Sequence, residues 1–216
     1  MAWCVQLSMA SQYCPTLEGE PAFRPPHLLW MQNGEPVDAG DVVKRLRVRS
    51  SHKKLHAFIP GAPPFVASAA FIQMVERFEP GVHQFFPIEV FDRNGLPTDM
   101  RYVALNIRHL LDALIKDRSE ANWMVAPEDK RPSSLVSEGR FGLLLDRAIV
   151  AGRHLWREQS WAHGVFFSDE LMAAVNNARL KGLACDLVPE RFRRDVAQDG
   201  RLSGPEGCRP PRVILS

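Results

Sequence analysis

No stretch of this chain approaches the roughly 20 apolar residues that a helix needs to cross a bilayer, so no membrane-spanning segment is expected. The opening Met1 to Ala10 has neither a basic leader nor an unbroken apolar core, which makes it a poor signal peptide. Cytoplasmic residence is the expectation. Charge of one sign is missing too: 27 Lys and Arg face 25 Asp and Glu, a formal balance of +2. That balance argues against a nucleic-acid coat or a membrane-surface protein. Clustered cysteines are absent. Cys4, Cys14, Cys185 and Cys208 lie far apart with no C-x-x-C pair, so a structural zinc site fails on spacing. Reduced, mostly incidental thiols suit a cytosolic chain of this length. Three phosphate and nucleophile signatures are also missing: G-x-x-x-x-G-K-S/T, G-x-G-x-x-G after a strand, and the G-x-S-x-G elbow.

What is present is the composition of an ordered globular protein. Of 216 residues, 45% are hydrophobic and 24% charged, enough apolar material for a substantial core. Trp3 to Leu7 and Leu28 to Met31 read as short strands, with Asn33-Gly34 as a tight turn after the second. Phe65-Val66-Ala67 reads as a strand and Ser68 as a helix N-cap. Phe71, Ile72, Val75 and Phe78 then recur at helical spacing until Pro80-Gly81 ends the helix. Val82 to Phe91 predicts a strand with Phe86, Ile88 and Val90 on one face. Pro87 cannot donate to a ladder, which puts that strand at an edge or gives it a bulge. Asp92-Arg93-Asn94-Gly95 predicts a hairpin, with Tyr102 to Ile107 as the return strand. Arg108 to Ile115 fits either a helix or an extension of that strand, and residues 116 to 140 read as an exposed loop.

Phe141 to Leu145 and Gly164 to Phe167 predict two more strands. Ser168 caps a second helix, with Asp169 and Glu170 at its positive end, Leu171, Met172 and Val175 on its apolar face, and Lys181-Gly182 at its close. Leu183 to Val188 is a final strand. The two strand–serine–helix–glycine units lie 100 residues apart, although capped helices between strands commonly look alike. The expected fold class is α+β: a mixed, largely antiparallel sheet with helices packed on it. Residues 1–60 are read as N-terminal strands and a basic stretch of the same domain, 61–192 as the main α+β domain, and 193–216 as a flexible tail rich in Pro and Gly.

Three patterns invite a chemical reading. His52 and His56 stand at i, i+4, but Lys53 and Lys54 lie between them and no glutamate supplies a base, so no metal site is expected. The run Lys44, Arg45, Arg47, Arg49, Lys53, Lys54 could meet phosphates or an acidic protein face. It lacks the aromatics that stack bases, so no nucleic-acid partner is expected. Gly152 to Glu158 gathers Arg153, His154, Trp156 and Arg157. Arginine and tryptophan dominate protein interfaces, histidine can shuttle protons, and the plainer alternative packs Leu155 and Trp156 under the sheet with the arginines in surface ion pairs.

Several separate blocks resemble one bacterial family. They are Glu79-Pro80-Gly81-Val82-His83-Gln84-Phe85-Phe86-Pro87-Ile88-Glu89-Val90, the strand Tyr102 to Asn106, Leu111-Asp112-Ala113, Ala151 to Arg157, and Val165-Phe166-Phe167-Ser168-Asp169-Glu170-Leu171. The resemblance is to immunity protein family eleven of the polymorphic toxin systems, earlier catalogued as a domain of unknown function. It covers about residues 60 to 190, and the first 60 residues match poorly. It implies a protein that binds and neutralises a cognate toxin or effector, with no catalytic residues and no cofactor. It transfers no binding residue and leaves the oligomeric state open. Candidate partner contacts therefore come from the residues alone: Arg153, His154, Trp156, Arg157, Lys44, Arg45, Arg47 and Arg49. The rival from another class is a small hydrolase or nucleic-acid-processing enzyme centred on His154.

Overall fold

Central strands buried on both faces and one apolar stripe on each long helix build this fold from the same local rules twice. The computed structural model describes residues 1–7, 17–20, 31, 33–49, 55–59, 65–125, 132–135, 142–192 and 213–214. Along the chain run β1 (Ala2–Leu7), β2 (Leu17–Glu20), β3 (Arg45–Val48), β4 (Phe58–Ile59) and β5 (Phe65–Ser68), then helix α1 (Ala69–Phe78). After it come β6 (Gln84–Phe91), β7 (Tyr102–Asn106), β8 (Leu110–Leu111), β9 (Trp123–Val125), β10 (Pro132–Leu135) and β11 (Leu145–Asp146). The short helix α2 (Arg147–Val150), β12 (Leu155–Glu158), β13 (Trp161–Ser168) and helix α3 (Asp169–Asn177) follow. β14 (Leu183–Val188), β15 (Glu190–Arg191) and β16 (Val213–Ile214) complete the described elements.

Two six-stranded sheets result, ordered β2-β3-β6-β7-β5-β4 and β16-β14-β1-β13-β12-β8. Most neighbours are antiparallel; β3–β6, β8–β12 and the small β11–β15 pair are parallel. The α+β class read from the sequence is what the chain adopts.

The likeness between the two units extends from sequence to hydrogen-bond register. In the first sheet Ser68, Tyr102 and Ile88 share one row across β5, β7 and β6. In the second sheet Ser168, Ala2 and Val188 share the matching row across β13, β1 and β14. Three strand positions later the rows are Phe65, Leu105, Phe85 and Val165, Val5, Cys185. Each unit is a hairpin, a helix and a returning strand, with an antiparallel strand filling the gap between the two that flank the helix. In the first unit that filler comes later in the chain (β7). In the second it is the chain's own first strand, β1.

Period-2 alternation sorts the side chains of these strands onto opposite faces. Phe65, Ala67, Val165 and Phe167 enter one central core with Phe71, Ile72 and Val75 of α1 and Leu171, Met172 and Val175 of α3. Phe71 stacks on Phe167 at 5.3 Å between ring centroids, so the two units meet ring to ring. Burying a side chain of that size stabilises by about 1.5–3 kcal/mol. The outer face of the first sheet, with Val66, Ile88 and Ala104, is covered by Met31, Val37, Val42 and Val43. The outer face of the second, with Cys4, Trp156 and Phe166, is covered by Ala113, Leu114, Leu145 and Val150.

Several local expectations shift. Pro87 lies in a strand with neighbours on both sides, yet β3 pairs only with Glu89 to Phe91, so β6 is a local edge where the proline sits. Arg108 to Ile115 continues in extended form, because β8 pairs with β12 rather than coiling on itself. Part of the expected loop at 116–140 pairs instead as β9 and β10, and of Phe141 to Leu145 only Leu145 is in a strand among the described residues. Met31 is helical, while Leu28 to Trp30 lie outside the described residues. So does most of the 193–216 tail, although Val213 and Ile214 pair with β14. Asn33-Gly34 and Asn94-Gly95 both form their turns, with Gly34 at φ +68° and Gly95 at φ +81°.

The second helix stops earlier than its glycine suggests. Arg179, at φ +53°, takes the left-handed position, and the N–H groups of Leu180 and Arg179 return to the carbonyls of Val175 and Asn176. This is the paired bonding of a Schellman close, for which glycine is the usual residue. Gly182 serves another need: at φ +109°, a Cβ there would lie 2.8 Å from the Phe58 carbonyl oxygen of the other unit. Replacing Arg179 by Gly is expected to raise stability by about 0.5–1 kcal/mol, since a left-handed L-residue costs about 1–2 kcal/mol and the extra freedom of glycine in the unfolded chain offsets part of that. Gly182→Ala is expected to lower it by about 2 kcal/mol or more. Urea unfolding of both variants checks the two signs.

Candidate functional site

Helix α1 ends because Pro80 cannot continue it, and Glu79 becomes the C-cap, its N–H donating to the Val75 carbonyl at 2.8 Å. That position turns the Glu79 side chain inward, where the residue is 5% exposed. Its carboxylate then gathers groups from three other segments. Oε2 lies 2.6 Å from His83 Nε2, just before β6. Oε1 accepts the backbone N–H of His154, ahead of β12, at 2.7 Å. Oε1 also faces His109 Nδ1, between β7 and β8, at a longer 3.4 Å.

The direction of each hydrogen bond follows from what its ends can do. Arg108 N–H, which can only donate, points at His83 Nδ1 at 3.1 Å. Nδ1 therefore holds the ring's lone pair, and the proton sits on Nε2 and is donated to Glu79. Likewise Arg153 Nη1 lies 3.3 Å from His109 Nε2. A guanidinium has no lone pair to offer, so His109 accepts there and carries its proton on Nδ1, toward Glu79. Burial alone would raise the Glu79 pKa. The His109, His83 and His154 N–H groups around it outweigh that and hold the carboxyl far below the usual range.

Glu79, His83 and His109 bring their donor atoms within 4.8 Å of one another, close enough to consider a metal ion. The donor chemistry does not fit one. A neutral imidazole has one lone pair, and that of His83 is engaged by the Arg108 amide, so the atom facing Glu79 is a donor rather than a ligand. Binding an ion would strand a buried amide. The arrangement is a hydrogen-bonded lock that ties helix α1 to the segments ahead of β6 and β12 through Glu79 and on to Arg108 through His83. His109 Nδ1 faces Oε1 at 3.4 Å without closing a hydrogen bond.

The other candidates fall in different places. His154 is held three ways: its N–H by Glu79, its Nδ1 2.9 Å from Ser168 Oγ, and its ring 4.7 Å from that of Phe78. Ser168 also accepts Leu171 N–H as the helix cap, and Glu170 Oε2 lies 3.9 Å from the same Nδ1. Serine, histidine and acid are thus together, but both partners meet one ring nitrogen. A nucleophilic triad needs them on opposite nitrogens. Ser68, the matching residue of the first unit, sits at its N-cap yet makes no such bond.

Trp156 is 1% exposed and stacks on Phe166 in the outer core of the second sheet. Arg157 beside it is largely covered, and burial pulls its pKa down to about 10. A second buried carboxylate, Glu158, accepts Ala113 N–H at 3.0 Å and the Ser160 hydroxyl at 2.7 Å, and burial pushes its pKa up. Of the basic run, Arg45 pairs with Glu89 at 2.8 Å, Arg49 with Glu18, and Arg47 reaches the Arg93 carbonyl at 3.4 Å. Lys44 is exposed, and His52, Lys53 and Lys54 lie outside the described residues. Only Arg153 and His154, of the eight sequence-predicted contacts, touch the Glu79 lock.

The family model described as Immunity protein family (Imm11) matches residues 8–188. The chain belongs to this immunity protein family. The match reaches well before residue 60, where the resemblance read from the sequence began. Structure explains the difference: β3 and residues 31–48 complete the first sheet and cover its outer face. No curated protein matches the chain.

The lock generates a stability prediction with a definite sign. Glu79→Gln keeps the size but sets an amide N–H against donors. It is expected to cost about 3 kcal/mol, typical for breaking a buried, hydrogen-bonded charge. Because folding lowers the Glu79 pKa, the stabilisation is full above about 4.5, the group's ordinary value, and drains away as pH falls below it. The variant should therefore lose less stability than the parent between pH 4.5 and 2.5. Equal losses in urea titrations across that window would contradict the assignment.

Proposed function

We propose that this immunity-family chain neutralises a cognate toxin or effector in the cytoplasm by direct protein–protein association, without catalysis or a cofactor. The observation that carries this reading is the saturation of the lock. Both oxygens of Glu79 and both ring nitrogens of His83 are engaged by protein groups. A general acid or base must have a free position facing its substrate. Groups tied off on every side hold shape instead.

Blocking another protein calls for that property. A stable interface takes about 800 Å² from each partner and gains most from side chains already ordered before contact. The thiol chemistry is compatible with a reducing compartment. Cys4 and Cys185 are buried, and they project from neighbouring strands into opposite faces of the second sheet. Burial pushes the Cys185 thiol up to about 12, so it is a poor nucleophile.

Growth assays test the reading directly. Each neighbouring gene is expressed alone and together with this chain. One neighbour should be toxic alone, harmless in combination, and recovered with this chain as a stoichiometric complex. Rescue without any complex, or turnover of the toxin's product by the purified chain, would contradict neutralisation by association.

A further inference from the structure

The Glu79 lock does not end inside the molecule; its outermost member is Arg153, which is exposed. We infer that Arg153 is an anchor for a carboxylate side chain on the toxin, aimed in advance by the Glu79–His109 pair. The inference rests on the reading of this chain as a toxin-binding protein and gives that reading a contact and a chemistry.

Four observations carry it. First, the backbone on both sides of Arg153 is fixed: its own N–H donates to the Val150 carbonyl at 3.0 Å, and the next N–H, of His154, enters the buried Glu79 carboxylate at 2.7 Å. Second, the side chain is held too. Its Nη1 donates to His109 Nε2 at 3.3 Å, and the His109 ring is itself wedged edge-on against His83 at 5.3 Å. Third, the group that holds the guanidinium is a neutral ring. The charge of Arg153 has no carboxylate partner among the described residues, unlike Arg45 and Arg49, which spend theirs on Glu89 and Glu18. Glu170, an exposed acid at the start of α3, faces His154 at 3.9 Å. Fourth, Ala151 and Gly152 before it are exposed and small, and Ile149 is 38% exposed just upstream, so a partner meets little bulk and some apolar surface.

Chemistry names the ligand. A guanidinium with one edge tied down still presents parallel N–H donors, which match the two oxygens of a carboxylate in a forked pair. An arginine that is already ordered loses less entropy on binding than a free one, the condition under which single residues become dominant anchors. Glu79 and His109 would then be positioning residues, acting through Arg153 and never touching the toxin.

The probe is the toxin domain encoded beside this chain's gene, with affinity read by titration calorimetry or surface binding. Arg153→Ala is expected to weaken binding about 30-fold or more with an unchanged melting temperature. Arg153→Lys, which keeps the charge without the fork, is expected to weaken it about 10-fold. Arg77→Ala, on the exposed face of α1, serves as the control and should bind like the parent. His109→Gln is expected to weaken binding about fivefold in the parent, and to have no further effect in the Arg153→Ala background.

Parent-like affinity for Arg153→Ala would overturn the anchor while leaving toxin binding intact. A His109→Gln effect that persists without Arg153 would overturn the aiming role. If the unaltered chain does not bind the toxin domain at all, the underlying reading falls and the anchor with it.

Discussion

Removing a carboxylate from water costs several kcal/mol unless its lone pairs find donors, and a half-satisfied buried charge is worse than none. Glu79 meets that demand by drawing donors from segments separated by up to 75 residues in sequence. The cost of leaving any one of them out is what fixes the relative placement of helix α1, the start of β6, the stretch between β7 and β8, and the loop before β12. Apolar packing could bring the two units together in more than one way, since it has no direction. The lock has direction, and it selects one. Hydrophobic burial supplies the bulk of the stability here, and the carboxylate supplies the uniqueness.

Two pseudo-equivalent halves make such a selector useful. Their helices, filler strands and registers correspond, and the central core joins Phe71 in the helix of one unit to Phe167 near the strand end of the other. Symmetric faces invite sliding. Gly182 against the Phe58 carbonyl and Glu79 against the His154 amide are two contacts that cross between the units, and neither has a copy in the matching position. The filler strand of the second unit adds a topological tie: β1, far from its neighbours in sequence, is hydrogen-bonded on both sides, to β13 and to β14.

Local signals were legible where a few neighbouring residues decide the outcome. Helical spacing located both long helices, Ser68 and Ser168 marked their starts, and Asn94-Gly95 located a hairpin. Class and family followed from those blocks. What local pattern could not carry was choice among satisfied alternatives. Arg179 takes the left-handed place that Gly182 seemed to claim, because Gly182 is needed four residues beyond the cap for a close approach from the other unit. Ser68 and Ser168 look equivalent, yet only Ser168 makes its cap. Trp156, read both as an interface residue and as one packed under the sheet, takes the second place. The lock itself was illegible as a unit: Glu79 and His83 are four apart, a helical spacing, but Pro80-Gly81 breaks the helix between them, and His109 and His154 come from elsewhere. That i, i+4 pair across a helix stop was the one available hint.

The central claim is that the Glu79 lock joins both units into one rigid body. Native-state hydrogen exchange at the His154 and Arg108 amides measures this most directly, because both N–H groups are in loops and owe their protection to the lock. Exchange as slow as that of the central strand amides of β7 and β13, rising with denaturant along the same global line, is the expected result. Exchange on the timescale of an ordinary exposed loop, with the core strands still protected, would mean that the lock opens on its own and that the rigid-body description is wrong.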